Sequence, residues 1–135
     1  MFYHFTDTRN LDTIRHYGLL SWFQLVQQGI RHYPGSSPES RYYDRRKGLQ
    51  DYVRLAFDHT HPMAFVAQKR GSIRHIAWIQ VPEEIIDTPG ALFSDMNAVC
   101  KHATITNNPD TFFNSSDRQA EILIPSHIPA EWLIF

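Results

Sequence analysis

Gln119-Ala120-Glu121-Ile122-Leu123-Ile124, closed by Pro125, reads as a β-strand. It is rich in β-branched and aliphatic residues, and proline ends it by removing a ladder donor. Alternation sends Gln119, Glu121 and Leu123 to one face, and Ala120, Ile122 and Ile124 to the other. A carboxylate in the middle of so apolar a strand is costly to bury unpaired. The face bearing Glu121 is therefore either wet, as on a half-exposed edge strand, or the lining of a cleft. In a cleft, such a carboxylate holds a ribose hydroxyl and offsets the charge of an oxocarbenium-like sugar, as glycosyl transfer requires.

Working outward from this strand, Tyr3 to Thr6 predicts a short strand near the start of the chain. Asn10 stands as the N-cap of a helix through Tyr17, with Gly18 at its C′ position. Ser21 and Gln24 form an S-x-x-Q capping box for a second helix that ends at Gly29. Arg31 to Ser40, with Pro34, Gly35 and Pro38, predicts a surface loop. Tyr52 to Phe57 reads as a strand, and Pro62 starts a helix that runs to about Arg70, before Gly71. Ile73 to Val81, Ala91 to Phe93 and Trp132 to Phe135 read as strands, and Asn107 to Asp117 as a loop. One strand, then helices, then mostly strands predicts an α+β fold with a mixed or antiparallel sheet. There is no G-x-G-x-x-G and no P-loop, which excludes Rossmann and Walker nucleotide sites.

The chain has 135 residues, 42% of them apolar, which fits one domain over residues 1–135. Its only cysteine is Cys100, so no disulfide forms within the chain. No window nears the roughly 18 apolar residues of a membrane span. Residues Met1 to Asn10 lack a basic segment followed by an apolar one. A cytoplasmic protein without a membrane partner is expected. Charge is unevenly spread: residues 1–74 hold eleven Lys/Arg against six Asp/Glu, and residues 75–135 hold two against eight. A basic half fits an anionic ligand, a dinucleotide or a nucleic acid strand, or equally a solvated face.

Other residue types point to chemistry. His4 and Thr6 share one face of the first strand, where they can bond a ribose hydroxyl or a carboxamide, or simply meet water. Arg45-Arg46-Lys47 can reach phosphates or stabilise developing negative charge, or form a solvated basic loop. Tyr33, Tyr42 and Tyr43, near Arg41, Arg45 and Lys47, can stack on bases. His59 and His61, like Cys100 and His102, lie two apart, which is no common structural-zinc spacing, so no metal is expected.

In combination these segments resemble the DarT family of DNA ADP-ribosyltransferase toxins. Tyr3-His4-Phe5-Thr6, then Asn10-Leu11, Ile14 and Gly18-Leu19-Leu20, is similar to the family's Y-H-hydrophobic-T opening, its N-L, and its helix ending in G-x-L. Asp44-Arg45-Arg46 is similar to its acidic-Arg-Arg element. Asp51-Tyr52-Val53, Phe57 and Pro62-Met63 look like its D-Y-V-P-F-Y-F strand and the S-P-M-L that follows. Phe93-Ser94-Asp95 matches F-[ST]-D, and Gln119 to Ile124 matches Q-A-E-F-L-V. This chain departs from the pattern at Arg54, where the family has proline, at Ala56, where it has an aromatic, and in a shorter stretch between Asp95 and Gln119.

The resemblance implies a split β-sheet with helices around an NAD-binding cleft. It implies Glu121 and Arg46 as catalytic residues, and His4, Thr6, Asn10, Leu19, Tyr52 and Phe57 against NAD+. Arg45, Lys47, Arg54 and Tyr43 would meet the acceptor, most readily a base of single-stranded DNA. NAD+ would be a co-substrate, with no metal, and an antitoxin or ADP-ribosyl hydrolase would be the partner. RNA or protein acceptors stay open. So do a metal-independent RNase using His4, Arg46 and Glu121, and a non-catalytic binding module.

Overall fold

The computed structural model describes residues 1–135. Its main sheet has six strands in the order β4-β1-β3-β7-β5-β6. These are β1 (Phe2–Asp7), β3 (Tyr52–Ala56), β4 (Ile76–Val81), β5 (Leu92–Ser94), β6 (Ile105–Thr106) and β7 (Glu121–Pro125). A separate ribbon pairs β2 (Leu19–Leu20) with β8 (His127–Ile128). Every strand pair is antiparallel. The helices are α1 (Leu11–Tyr17), α2 (Trp22–Gln27), α3 (Pro38–Lys47), α4 (Pro62–Arg70) and the short α5 (Asp110–Phe113). The fold is α+β, as the order of segments predicts. No helix is long and apolar enough to cross a membrane.

The strand β7 lies between β3 and β5, so both of its edges are paired. Ile122 and Ile124 enter the main core with Phe2, Val53, Leu55, Ile79 and Phe93. Leu123 enters a second cluster with Leu49 and Ala98. The wet edge-strand reading of Glu121 is thereby excluded.

The sheet is split. Strands β1 and β4 register over Phe2↔Val81 through Asp7↔Ile76, whereas β1 and β3 share only Tyr3↔Ala56. Across the opened seam the His4 Nδ1–H donates to the Arg54 carbonyl at 2.9 Å, replacing a ladder bond with a side-chain one.

Several local expectations are corrected. Asn10 makes no capping bond, because Asp7 already caps the 3-10 turn Thr8–Asn10 and Asn10 itself is helical. Only half of the capping box forms: Ser21 Oγ accepts from Gln24 N, but the Gln24 amide goes to Asp51 instead of returning. The expected loop through Ser40 instead contains the start of α3. Ser37 accepts from Ser40 N as its N-cap, Pro38 sits in its first turn, and Gly48 ends it at φ +71°. Its one buried residue is Asp44, so no apolar stripe advertises the helix. Within 107–117 a short α5 buries Phe112. The last residues form a 3-10 turn, Ala130–Trp132, and one bridge, Gln80↔Ile134, rather than a strand.

Candidate active site

A cleft with a volume of about 230 Å³ lies against the β1–β3 seam. His4, Thr6, Asn10, Leu19, Tyr52, Arg54 and Glu121 all line it. Seven of the residues singled out in the sequence are thus gathered from five elements.

Glu121 begins β7 opposite Ala56 and Ser94 and is 8% exposed. Its Oε1 accepts from the Ala98 N–H at 2.8 Å and lies 3.5 Å from Arg54 Nη1. Its Oε2 makes no hydrogen bond within the protein and remains free to take a hydroxyl. The Ala98 loop is itself held, because the Lys47 ammonium donates to the carbonyls of Ala98, at 2.6 Å, and Cys100.

His4 lines the same cleft from the other side of the seam. Burial pushes its pKa below the ordinary 6.5, outweighing the bond to the Arg54 carbonyl, so the imidazole is neutral at pH 7. With Nδ1 donating to that carbonyl, Nε2 is the acceptor. Next to it, the Asn10 amide donates to Thr6 Oγ1 at 3.0 Å and to the Tyr33 carbonyl at 2.8 Å, and accepts from Tyr33 N at 2.8 Å. Asn10 therefore pins the 32–37 loop beside the strand that carries His4 and Thr6. Asp7 supports this corner from below. It is fully buried, bonds Arg9 and the Arg74 amide, and is held well below the usual carboxylate range, chiefly by the Arg9 guanidinium.

Five of the sequence-predicted residues stand outside the cleft lining. Arg46 is exposed on α3, donating to Tyr42 Oη at 3.1 Å. Arg45 lies 4.9 Å from the Trp22 ring, and Tyr43 packs edge-on against Tyr42. Lys47 is spent on the 98–100 carbonyls. Phe57 stacks on Phe112, with centroids 5.2 Å apart, because alternation along β3 turns it to the face opposite Tyr52 and Arg54.

The cleft also holds Tyr33, read in the sequence as a base-stacking residue, His61, weighed there only as a metal ligand, and residues without a stated role, among them Trp22, Ser40, Asp44 and Asn97. Asp44 is 6% exposed and accepts from Arg54 Nη2 at 2.6 Å and Trp22 Nε1 at 3.0 Å. Its only signal was the acidic position before the Arg-Arg pair. His61 caps α4, with Nδ1 accepting from Met63 N. Burial lowers its pKa, against the opposing pull of Glu121. No group of three or more His, Cys, Asp or Glu is placed to hold a metal.

A carboxylate with one free oxygen, sharing a cleft in a split antiparallel sheet with a neutral histidine and a threonine, has the chemistry to accept a hydroxyl. Several solved structures are similar to this chain in fold. Thermosipho africanus DarTG in complex with ADP-ribose matches with a TM-score of 0.80 at 20% identity, over 98% of this chain and 42% of that one. Thermus sp. 2.9 DarT in complex with ADP-ribosylated ssDNA matches at 0.75 and 20% identity, over 95% of this chain and 76% of that one. The same Thermus protein in complex with NAD+ matches at 0.68 and 20% identity, over 98% and 78%. This chain therefore spans less than half of the Thermosipho protein. No curated protein matches it. The fold is that of an ADP-ribosyltransferase. The family model described as ssDNA thymidine ADP-ribosyltransferase, DarT, matches residues 3–117, and the chain belongs to the DarT family. That match ends before Glu121, whose assignment rests on the strand motif and on its position in the cleft.

Proposed function

We propose that this chain transfers ADP-ribose from NAD+ to a thymine base of single-stranded DNA, as the toxin of a toxin–antitoxin or phage-defence pair. The observation that carries this reading is Glu121, buried at the cleft with Oε1 fixed by Ala98 N–H and Oε2 unbonded. Glu121 Oε2 accepts a hydroxyl of the nicotinamide ribose and offsets positive charge as the C1′–nitrogen bond breaks. The bonding pair leaves with nicotinamide, neutralising its ring. A ring nitrogen of the base then bonds C1′ and releases its proton to solvent. His4, Thr6 and Asn10 position the nicotinamide riboside, and Leu19 and Tyr52 close the walls. The attacking nitrogen is hidden in a base pair, which favours an unpaired strand. Arg45, Arg46 and Tyr43 lie outside the cleft and serve the acceptor strand. The nuclease reading lacks support, since Arg46 does not join His4 and Glu121. An antitoxin, or a hydrolase that removes ADP-ribose, would be the cellular partner.

The test is mass spectrometry of mixed single-stranded DNA and RNA oligonucleotides incubated with the protein and NAD+. Thymine-containing DNA heavier by one ADP-ribose, and absent with Glu121→Ala, is expected, as is loss of toxicity in cells. Modified RNA would move the acceptor assignment. RNA cleaved without NAD+ would replace the reaction.

A further inference from the structure

Arg54 joins three walls of the cleft. Its carbonyl receives His4 Nδ1–H from β1 at 2.9 Å. Its Nη2 donates to Asp44 of α3 at 2.6 Å and to the Leu49 carbonyl at 3.3 Å. Its Nη1 stands 3.5 Å from Glu121 Oε1 on β7, and no other cation pairs with Glu121. The side chain is 21% exposed, while both carboxylates are about nine-tenths buried. A guanidinium meets two carboxylates at once because its donors form a fixed planar fork, which a lysine ammonium does not reproduce. The DarT-like pattern has proline at this position, which could neither charge the cleft nor reach Glu121.

We propose that Arg54 is the positioning residue of this active site, fixing the Glu121 carboxylate through Oε1 so that Oε2 meets the ribose. This is a different duty from touching the acceptor, and it rests on the ADP-ribosyltransferase reading above. Asp44 is its anchor: held by Trp22 Nε1 on one oxygen, it locks the guanidinium on the other. The role differs from that of the exposed arginines of α3, because the Arg54 guanidinium turns inward to Asp44, Glu121 and the Leu49 carbonyl. Loss of the fork lets the carboxylate drift, and a misplacement on the order of 1 Å lowers turnover about 100-fold.

The experiment measures kcat and KM for NAD+ in ADP-ribose transfer, with carba-NAD+ binding measured separately. Arg54→Met is expected to lower kcat about 10- to 100-fold. The carba-NAD+ Kd should stay within about threefold, since ground-state contacts persist. Arg54→Lys should recover part of the loss, as a cation able to hold one carboxylate but not two. Removing Arg54 leaves two buried carboxylates unpaired, which threatens folding. The Arg54→Met/Asp44→Asn double variant removes that second charge and should fold while keeping the kcat loss. A folded double variant with wild-type kcat overturns the proposal and leaves the transferase reading intact. A loss of carba-NAD+ affinity equal to the loss of turnover also overturns it, by making Arg54 a binding residue. A wild-type protein that binds carba-NAD+ but gives no transfer product overturns both readings.

Discussion

A histidine lining a cleft can be neutral or charged, and here desolvation decides. His4 and His61 both line the cleft, and both have pKa values below the ordinary 6.5 because their surroundings exclude water. Unfolded, both take up protons near that value; folded, they resist until lower pH. Their contribution to stability is therefore fully present above about pH 6.5 and is lost as pH falls from there through the lower folded values. Asp7 and Asp58 are shifted down by hydrogen bonds from Arg9 and Thr60, so their contributions are lost only below the ordinary 3.8. The interval between those two ordinary values thus isolates the histidines. Urea unfolding at pH 7.5 and 5.0 should show a lower midpoint at pH 5.0, and a smaller fall in the His4→Asn/His61→Asn variant. Equal falls would mean that neither imidazole is held neutral. His4 was legible in the sequence because alternation paired it with Thr6 on one face. Its tautomer was not, because that depends on the Arg54 carbonyl, fifty residues away in the chain. Glu121 was legible for a simpler reason: an acid in an apolar strand requires an explanation. The same reasoning applied to Arg54 inside Tyr52–Ala56 would have found the second half of the pair.

At the scale of elements, what reads clearly is what local chemistry fixes. Gly18 is such a case. It ends α1 at φ +80°, a conformation that side chains rarely adopt, and a Cβ there would lie 2.4 Å from the Ile128 carbonyl oxygen. The close approach lets β2 turn at once into its pairing with β8, Leu19 against Ile128, which places Leu19 and Leu20 on the cleft. Gly18→Ala should therefore destabilise the protein by about 2 kcal/mol or more, through strain and displacement of the ribbon. That corresponds to a melting temperature lower by on the order of 5 °C or more. A change within 1–2 °C would show that the ribbon moves aside without penalty. Helix α3 is the opposite case. Its start was concealed because Pro38 looks like a loop residue unless Ser37 is recognised as an N-cap and Pro38 as the first helical position. The consequence reached the site: as a loop, Arg45-Arg46-Lys47 could be imagined reaching inward. As a helix with only Asp44 turned to the interior, the segment places Arg46 on Tyr42 and Lys47 on the 98–100 loop.

On the scale of the molecule, the charge asymmetry has an address. The excess of Lys/Arg in residues 1–74 includes an exposed tract on α3 next to the cleft mouth, where Arg41 and Arg45 both lie over the Trp22 ring, at 5.7 and 4.9 Å. Arg41 donates to Ser36 Oγ, but its Nη2 is buried without a partner. Burial, and then the neighbouring Arg45, pull its pKa below the usual arginine value. Two guanidinium groups on one indole, neither of them ion-paired with a carboxylate, form a surface that an anion would stabilise, and a nucleic acid strand supplies phosphates at regular spacing. Each phosphate neutralised on a single strand contributes about 0.7 to the slope of log affinity against log salt. The Arg45→Ala/Arg46→Ala variant should accordingly bind a thymine-containing oligonucleotide more weakly, with the slope reduced by about 1.4. Its carba-NAD+ affinity should not change, because neither side chain lines the cleft. The converse result, an unchanged salt slope with a raised KM for NAD+, would mean that the α3 arginines swing onto the dinucleotide when it binds. That would return Arg46 to the catalytic place that the acidic-Arg-Arg motif implies. The salt slope and the KM for NAD+, measured on the same variant, therefore separate an acceptor-strand surface from a closing NAD+ lid.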